Sequence, residues 1–205
     1  MPKSVIVIGA SGTIGSAISN ELEGDYNVIR AARSSGEPVD ISDPKSIDKL
    51  FDRIQASHEM VDGIIVSAGG GMVDSIDAMD LDQFLPKLTT KLRGQIAVVK
   101  HGCRLVRPGG AIVLTSGILS RTPMHGMSHL TVINAGLEGF VRAAAIEAAP
   151  VRVCVVSPAL VAESPPPVLE LFDGMSMISA AELAKVYRHA LEDGASGTTF
   201  DAFGT

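Results

Sequence analysis

The chain contains no tryptophan and few aromatic residues, which make up 4% of its 205 residues. Its core must therefore consist mainly of aliphatic side chains, and a hydrophobic share of 46% is large enough to fill one. Strands and helices packed closely on each other suit such a composition. The length fits one domain with a single core.

An excess of positive charge is also missing. The formal net charge is −6 at pH 7 and the isoelectric point is near 5.3. No basic stretch resembles a phosphate-binding patch, so we expect no nucleic-acid partner. No apolar run approaches the roughly 20 residues that span a bilayer, and a strand is predicted directly after Lys3. We therefore expect no membrane segment and no signal peptide.

Only two cysteines are present, and their spacing matches neither a metal-binding nor a redox motif. We predict that Cys103 and Cys154 are reduced, buried thiols, that the protein is cytoplasmic, and that it holds no metal.

Short apolar runs alternate with helical segments along the whole chain, a pattern that predicts a parallel sheet with helices on both faces. Strands are predicted at residues 4–8, 27–31, 63–66, 111–115, 151–156 and 198–203. Helices are predicted at residues 13–23, 46–55, 81–106, 128–148 and 180–191. Asp43 is the predicted cap of the second helix. We therefore predict an α/β fold in which residues 1–205 form a single Rossmann-type doubly wound domain, with a parallel sheet of about seven strands.

One long stretch, residues 162–179, shows no clear periodicity and contains three consecutive prolines. In a compact domain such a segment is often a lid over a site. A surface loop without a function is the alternative.

Three glycines stand between the first predicted strand and the first predicted helix. Gly9 would make the tight turn, Gly12 would let the backbone approach a pyrophosphate, and Gly15 would let the helix pack on the sheet. The diphosphate would lie at the helix N-terminus, where free N–H groups and the helix dipole favour an anion. We predict that residues 2–40 bind a dinucleotide.

Two arginines, Arg30 and Arg33, stand where NAD-binding chains carry an acidic residue for the ribose hydroxyls. A guanidinium group can clamp a 2′-phosphate in bidentate fashion. We therefore predict NADP rather than NAD as the cofactor, with solvated surface arginines as the alternative.

The motifs beyond the glycine turn resemble, over nearly the full length, those of the short-chain dehydrogenase/reductase family. Asp40 matches the aspartate that contacts adenine, Ser67-Ala68-Gly69 matches the family's Asn-Ala-Gly, and Ser116 matches the catalytic serine. Pro158 lies in the stretch that flanks the nicotinamide. Together with the glycine turn and the arginines, the cofactor-binding residues expected are Gly9, Ser11, Gly12, Thr13, Ile14, Arg30, Arg33, Asp40, Ile41, Ser67, Ala68, Gly69, Pro158 and Leu160.

The family's Tyr-x-x-x-Lys pair has no counterpart here, because Leu130 and Asn134 stand at its two positions. Lys91 stands where the family has an asparagine on the middle helix, so lysine and asparagine are exchanged between two helices. This resembles a divergent subgroup that keeps the glycine motif and lacks the usual pair. A lysine that merely points to solvent is the alternative for Lys91.

The sequence therefore leaves open which residue acts as the general acid/base. Ser116 is expected to donate a hydrogen bond to a substrate oxygen, and Asn134 to share the site with Lys91. His129 and His125 are near the lost tyrosine position, and imidazole titrates near neutral pH. Lys91 is a further candidate if burial depresses its pKa. Surface histidines are the alternative reading.

Three functions remain open from the sequence. The first is an NADP-dependent oxidoreductase with an atypical site that acts on a small carbonyl or alcohol substrate. The second is a nucleotide-binding sensor or scaffold without turnover, and the third is a non-redox isomerase or cyclase. The family resemblance also implies a homodimer or homotetramer. The candidate contact residues are Leu88, Leu92, Ile96, Val99, Leu137, Val141 and Ala145, of which some must face the sheet.

Overall fold

Seven parallel strands form one sheet in the computed structural model, which describes residues 3–57, 60–172 and 174–203 and omits the side chain of residue 89. Pro2, where the predicted nucleotide-binding region begins, lies outside the described residues. The strands are β1 Lys3–Ile8, β2 Tyr26–Ala32, β3 Glu37–Pro38, β4 Val61–Val66, β5 Val106–Thr115, β6 Arg152–Pro158, β7 Leu160–Val161, β8 Met177–Ile178 and β9 Thr199–Ala202. The sheet order is β3-β2-β1-β4-β5-β6-β9, which confirms the predicted fold class.

Helices cover both faces of this sheet. They are α1 Thr13–Leu22, α2 Pro44–Ser57, α3 Leu81–Leu88, α4 Gly94–Gly102, α5 Ser128–Glu147, α6 Pro166–Leu171 and α7 Ala180–Glu192. One core lies between the sheet and α2, α4 and α5, and a second lies between the sheet and α1 and α7. Among the described helices, none has the length and apolar character needed to cross a membrane.

The apolar run of β1 explains why the sheet is buried on both sides. Ile6 and Ile8 belong to one core, and Val5 and Val7 belong to the other. Successive side chains of a strand point to opposite faces, so an uninterrupted apolar run is what a strand between two helix layers requires.

The predicted helical region over residues 81–106 is confirmed as far as Gly102, but it is not one regular helix, and residues 103–106 lie outside it. The chain forms α3, then a π-helical turn at Thr89–Arg93, then α4, which ends at Gly102. Pro86 lies within α3, and its ring cannot supply a helical N–H group. The Pro-Gly-Gly at residues 108–110, interpreted as the helix break, lies inside β5, where the pairing register with β4 shifts.

Residues 162–179 are more regular than predicted. Pro166 and Pro167 occupy the first turn of α6, where a missing N–H group is tolerated. β8 pairs with β7 in a separate two-stranded parallel sheet. Residue 173 of this segment lies outside the described residues, and its role as a lid stays a prediction.

Several smaller predictions can be compared with the structure. The Oδ1 atom of Asp43 accepts a hydrogen bond from Lys45 N at 3.0 Å, which confirms the predicted cap of α2. Both cysteines are free thiols; Cys154 is buried as predicted, whereas the prediction of burial is wrong for Cys103, which is half-buried after the end of α4. Of the predicted contact residues between subunits, Val99, Leu137 and Val141 lie in the core instead, because their faces of α4 and α5 pack on the sheet.

We expect Gly15→Ala to destabilise the protein by about 2 kcal/mol or more, because overpacked backbone must shift. A Cβ atom at position 15 would lie 2.1 Å from the carbonyl oxygen of Gly9 and 2.8 Å from Ser67 Oγ. Gly24→Ala is the matched control, since a Cβ atom there has nothing within 4 Å. Chemical denaturation measures the free energy of unfolding of both variants, and equal values for the two would contradict the packing argument.

Candidate functional site

A cleft of about 640 Å³ opens at the carboxyl ends of β1, β2 and β4. The chain leaves β1 toward β2 on one side and later returns to β4 on the other, so this edge is the point where the strand order reverses. Ligands of doubly wound sheets bind at this place. The residues that line the cleft are Ile8, Gly9, Ser11, Gly12, Ala32, Arg33, Val39, Asp40, Ile41, Ser42, Ser67, Ala68, Gly69, Gly70, Gly71, Met72, Lys87, Thr90 and His129.

The glycine turn forms one wall of the cleft. Gly9 has φ = +91°, in the left-handed region that favours glycine, and its N–H group donates to Ala31 O at 2.8 Å. Gly12 caps α1 without a side-chain hydrogen bond, and the first turn, which begins with Thr13 and Ile14, carries no acidic residue. The positive end of the α1 dipole therefore faces the cleft without a protein anion beside it.

The structural reason for glycine differs among the three positions of the turn. A Cβ atom at Gly12 would meet only Gly9 O, at 3.5 Å, which is an ordinary contact. The fold therefore has room for a side chain at position 12, in contrast to position 15. A side chain there would enter the space in front of the α1 N-terminus, so glycine at this position fits the close approach of a diphosphate.

One end of the cleft carries Arg33, Asp40 and Ile41. The Oδ1 atom of Asp40 accepts hydrogen bonds from the Ser42 hydroxyl at 2.7 Å and from Ser42 N at 2.9 Å. These bonds, with a smaller contribution from the Arg33 charge, lower the pKa of Asp40. Asp40 is therefore an ordered carboxylate with a cation nearby.

Arg30 does not reach the cleft. Its guanidinium forms an ion pair with Glu23 and donates to Asn20 Oδ1 at 3.3 Å. These partners on and beside α1 hold the side chain away from the cleft-lining residues, so the structure brings only Arg33 to the predicted 2′-phosphate end.

The floor of the cleft, at its middle, is formed by Ser67, Ala68 and Gly69. The Ser67 hydroxyl donates to Ile8 O at 3.3 Å, which ties the end of β4 to the end of β1. Gly69 has φ = +105°, and a Cβ atom there would lie 2.8 Å from Lys91 Cβ. Lys91 therefore packs directly beneath the floor of the cleft.

Lys91, Asn134 and Ser116 come together behind this floor. Lys91 is only 7% exposed, and its Nζ atom donates to Ser116 O at 2.8 Å and to Asn134 Oδ1 at 3.0 Å. Burial lowers the pKa of Lys91 to about 8. The two exchanged residues are thus direct partners. None of the three belongs to the residues that line the cleft.

His129 lines the cleft, but its Nδ1 atom already accepts the N–H of Met72 at 3.1 Å, and its ring meets Phe84 edge-on. Burial lowers the pKa of His129, so the ring is neutral at pH 7 with its hydrogen on Nε2. In this arrangement it has no free lone pair for base catalysis.

Leu130 packs against Gly71, and His125 is exposed in the preceding loop.

Pro158 and Leu160 are not among the cleft-lining residues. Pro158 is buried at the end of β6, and Leu160 is half-buried in β7. Within the described parts of the chain, no group of three or more His, Cys, Asp or Glu side chains is arranged to hold a metal ion.

Sequence reasoning missed two buried polar residues. Gln95 accepts from Thr115 N at 2.8 Å and donates to Thr115 O at 3.0 Å, which anchors the end of β5 just before Ser116. Glu138 accepts a hydrogen bond from the Ser116 hydroxyl at 2.9 Å. Its spacing of four residues from Asn134 is the signal that could have identified it, since such residues share a helix face.

The lowered pKa of Lys91 predicts a pH dependence of stability. Between the folded value of about 8 and the ordinary value of 10.5, the unfolded chain binds more protons, so the free energy of unfolding rises with pH. Relative to Lys91→Met, the native protein should gain roughly 2 kcal/mol from about pH 8 to about pH 10. Denaturant titrations across this range measure it. Lys100→Met, at an exposed lysine of α4, is the control, and parallel pH curves for native protein and Lys91→Met would disprove the effect.

Solved structures similar to this chain cover it almost completely. The protein lin1944 from Listeria innocua is 28% identical with a TM-score of 0.92, and the match covers 98% of this chain and 100% of that chain. A small-chain dehydrogenase in complex with NADPH is 28% identical with a TM-score of 0.88, covering 100% of this chain and 98% of that chain.

Curated relatives are longer than this chain. The 3-oxoacyl-[acyl-carrier-protein] reductase FabG of Aquifex aeolicus is 29% identical over 157 residues, which are 74% of this chain and 60% of the relative. Versicolorin reductase stcU of Emericella nidulans is 27% identical over 178 residues, which are 75% of this chain and 66% of the relative. The chain thus spans about two thirds of these relatives or less.

The family model described as enoyl-(acyl carrier protein) reductase matches residues 14–199. This range runs from the first turn of α1 into β9 and includes both the exchanged lysine and asparagine and most of the cleft. With the relatives above, this match shows that the chain belongs to the short-chain dehydrogenase/reductase family.

Proposed function

We propose that the protein is an NADP(H)-dependent oxidoreductase with an atypical active site that acts on a small carbonyl or alcohol substrate. The observation that carries this proposal is the cleft itself. The glycine turn and the uncapped end of α1 form one wall, Arg33 lies at one end, and the buried Lys91 lies beneath the floor at Gly69. When bound, NADP(H) supplies the hydride that is exchanged with the carbonyl carbon.

The choice of NADP is supported by charge and by a relative. Arg33 lines the cleft beside Asp40, so a guanidinium is available for a 2′-phosphate. The small-chain dehydrogenase at 28% identity is a complex with NADPH. We propose that the backbone from Ser11 to Ile14 holds the diphosphate and that Asp40, Ile41 and Ala68 border the adenosine and ribose.

Lys91 is the group that we propose to hold the exchangeable proton. A residue that titrates near pH 8 can both give and take a proton near neutral pH. Its Nζ atom gives two hydrogens to Ser116 O and Asn134 Oδ1, so the ammonium form keeps one more. His129 is less suited because its Nδ1 atom is engaged, and His125 is exposed.

A second function is favoured by one specific observation. Leu130, at the position of the family's tyrosine, presents an apolar side chain against Gly71 in the cleft wall. A nucleotide-binding sensor or scaffold without turnover would need no acid/base group there. The described residues carry no feature that specifically favours an isomerase or a cyclase.

We also propose a cytoplasmic homodimer or homotetramer. Ile96 and Ala145 are partly exposed on α4 and α5, and Ile146 beside them is 82% exposed. Exposed apolar residues on neighbouring helices suit an interface between subunits. Light scattering should give a multiple of 21.3 kDa, and a mass of 21.3 kDa alone would rule the assembly out.

A fluorescence titration with NADPH and NADH tests the cofactor proposal. The native protein should bind NADPH more tightly, and Arg33→Ala should weaken NADPH binding by about tenfold while leaving NADH unchanged, because only NADPH carries the 2′-phosphate. Arg30→Ala is the matched control, since Arg30 pairs with Glu23 outside the cleft. An equal effect of both variants, or no binding of either nucleotide, would contradict the proposal.

Gly12→Ala distinguishes an effect on nucleotide binding from an effect on the stability of the fold. The variant should keep the stability of the native protein to within about 1 kcal/mol, since its Cβ atom makes only ordinary contacts. Nucleotide affinity should nonetheless fall by about tenfold or more, because the methyl group obstructs the diphosphate. Unchanged affinity would mean that the glycine turn is not the diphosphate site.

A further inference from the structure

A buried carboxylate lies behind the candidate site and takes no part in the roles assigned so far. Glu138 lies on α5 at a spacing of four and eight residues from Asn134 and Leu130, so the three share one helix face. Its exposure is 8%. A buried carboxylate is costly unless hydrogen bonds and charges compensate it, so its partners carry information about its role.

The two oxygen atoms of Glu138 have different partners. Oε1 accepts the hydroxyl of Ser116 at 2.9 Å and the hydroxyl of Ser120 at 2.8 Å. Oε2 lies 3.8 Å from Arg121 Nη1, and Arg121 is also bound to Asp201 and to Ser157 Oγ. The nearby cation is thus shared with another carboxylate, and the two serines are the close donors.

This arrangement determines how Ser116 can bind a ligand. A serine hydroxyl has one hydrogen, and Ser116 gives it to Glu138. Val156 O, at 3.5 Å, is a much weaker competitor for that hydrogen. The remaining sites on Ser116 Oγ are lone pairs, so Ser116 presents an acceptor, the opposite of the donor expected from the sequence.

Lys91 supplies the complementary group at the main-chain oxygen of Ser116. Its Nζ atom is bound to the main-chain oxygen of Ser116 and is a donor. A donor and an acceptor at one residue match a ligand hydroxyl, which can accept from the first and donate to the second.

We infer that Glu138 is a positioning residue that holds Ser116 as a hydrogen-bond acceptor, so that the site recognises the hydroxyl of an alcohol. This rests on the proposed function and adds to it that Ser116, which is 3% exposed behind the floor of the cleft, contacts the substrate. Glu138 itself touches neither the substrate nor the cofactor.

Matched variants separate this role from a structural one. Glu138→Ala removes the acceptor, Glu138→Gln keeps an amide oxygen that can accept the Ser116 hydrogen, and Ser116→Ala removes the donor. Ser120→Ala is the control, since it removes the other hydroxyl on the same Oε1 atom and leaves Ser116 intact. Stability and NADPH affinity are measured for each variant first, and we expect NADPH affinity to stay within about twofold because Glu138 is not in the cleft.

Kinetics with 4-nitrobenzyl alcohol and NADP, and with 4-nitrobenzaldehyde and NADPH, provide the functional test. Glu138→Ala should raise KM for the alcohol by about tenfold and change KM for the aldehyde far less, because only the alcohol donates to Ser116. Ser116→Ala should have the same effect without adding to that of Glu138→Ala. Glu138→Gln should restore most of the alcohol affinity, and Ser120→Ala should stay within about twofold of the native value.

Equal effects on alcohol and aldehyde, additive effects of the two variants, or an effect of Ser120→Ala as large as that of Glu138→Ala would overturn the inference. Crystal structures of Glu138→Ala and Glu138→Gln decide the same point without turnover. The Ser116 hydroxyl should rotate away from position 138 in Glu138→Ala and keep its position in Glu138→Gln. An unchanged Ser116 torsion in Glu138→Ala would overturn the inference as well. If the native protein turns over neither compound, these two compounds are not its substrates, and the crystal structures alone decide the orientation of Ser116.

Discussion

The close approach of α1 to the ends of β1 and β4 is the constraint on which the cleft depends. Position 15 has no Cβ atom, and one placed there would collide with the Gly9 carbonyl and the Ser67 hydroxyl. This contact brings the N-terminus of α1 to the edge where the strand order reverses. Gly9, in its left-handed conformation, turns the chain into the helix within a few residues. The anion-binding end of a helix and the end of a buried sheet therefore meet at one place.

The same edge explains how a lysine can be buried behind the cleft. The π-helical turn at Thr89–Arg93 includes Lys91, and such turns often occur at functional sites. Gly69 lets the lysine pack beneath the floor, and the carbonyl of Ser116 and the amide of Asn134 satisfy its hydrogen bonds. No carboxylate among the described residues lies within ion-pair distance of Lys91 to compensate its charge, which is why burial depresses its pKa so strongly.

The sequence was sufficient to predict the fold because each large strand is an apolar run bounded by turn residues, and the glycine turn has a defined place between strand and helix. It was not sufficient for β3, which has only two residues, or for the helical region over residues 81–106, where the π-helical turn at Thr89–Arg93 leaves the apolar pattern intact. Arg30 and Arg33 looked equivalent in sequence. They differ in the structure because Glu23, at the end of α1, forms an ion pair with Arg30 and holds it outside the cleft.

Glu138 illustrates why the chemistry of the site could be predicted only in part. A charged residue on a helix is usually solvated, so its sequence context suggests a surface position. Its burial depends on Ser116 and Ser120, which come from a different part of the chain. Two buried opposite charges are thereby connected through one residue, since Lys91 binds the carbonyl of Ser116 and Glu138 binds its hydroxyl. Buried charges are weak sources of stability, and a pair held apart by Ser116 gains little from mutual attraction. Their position at one serine is better explained by the orientation that they impose on it.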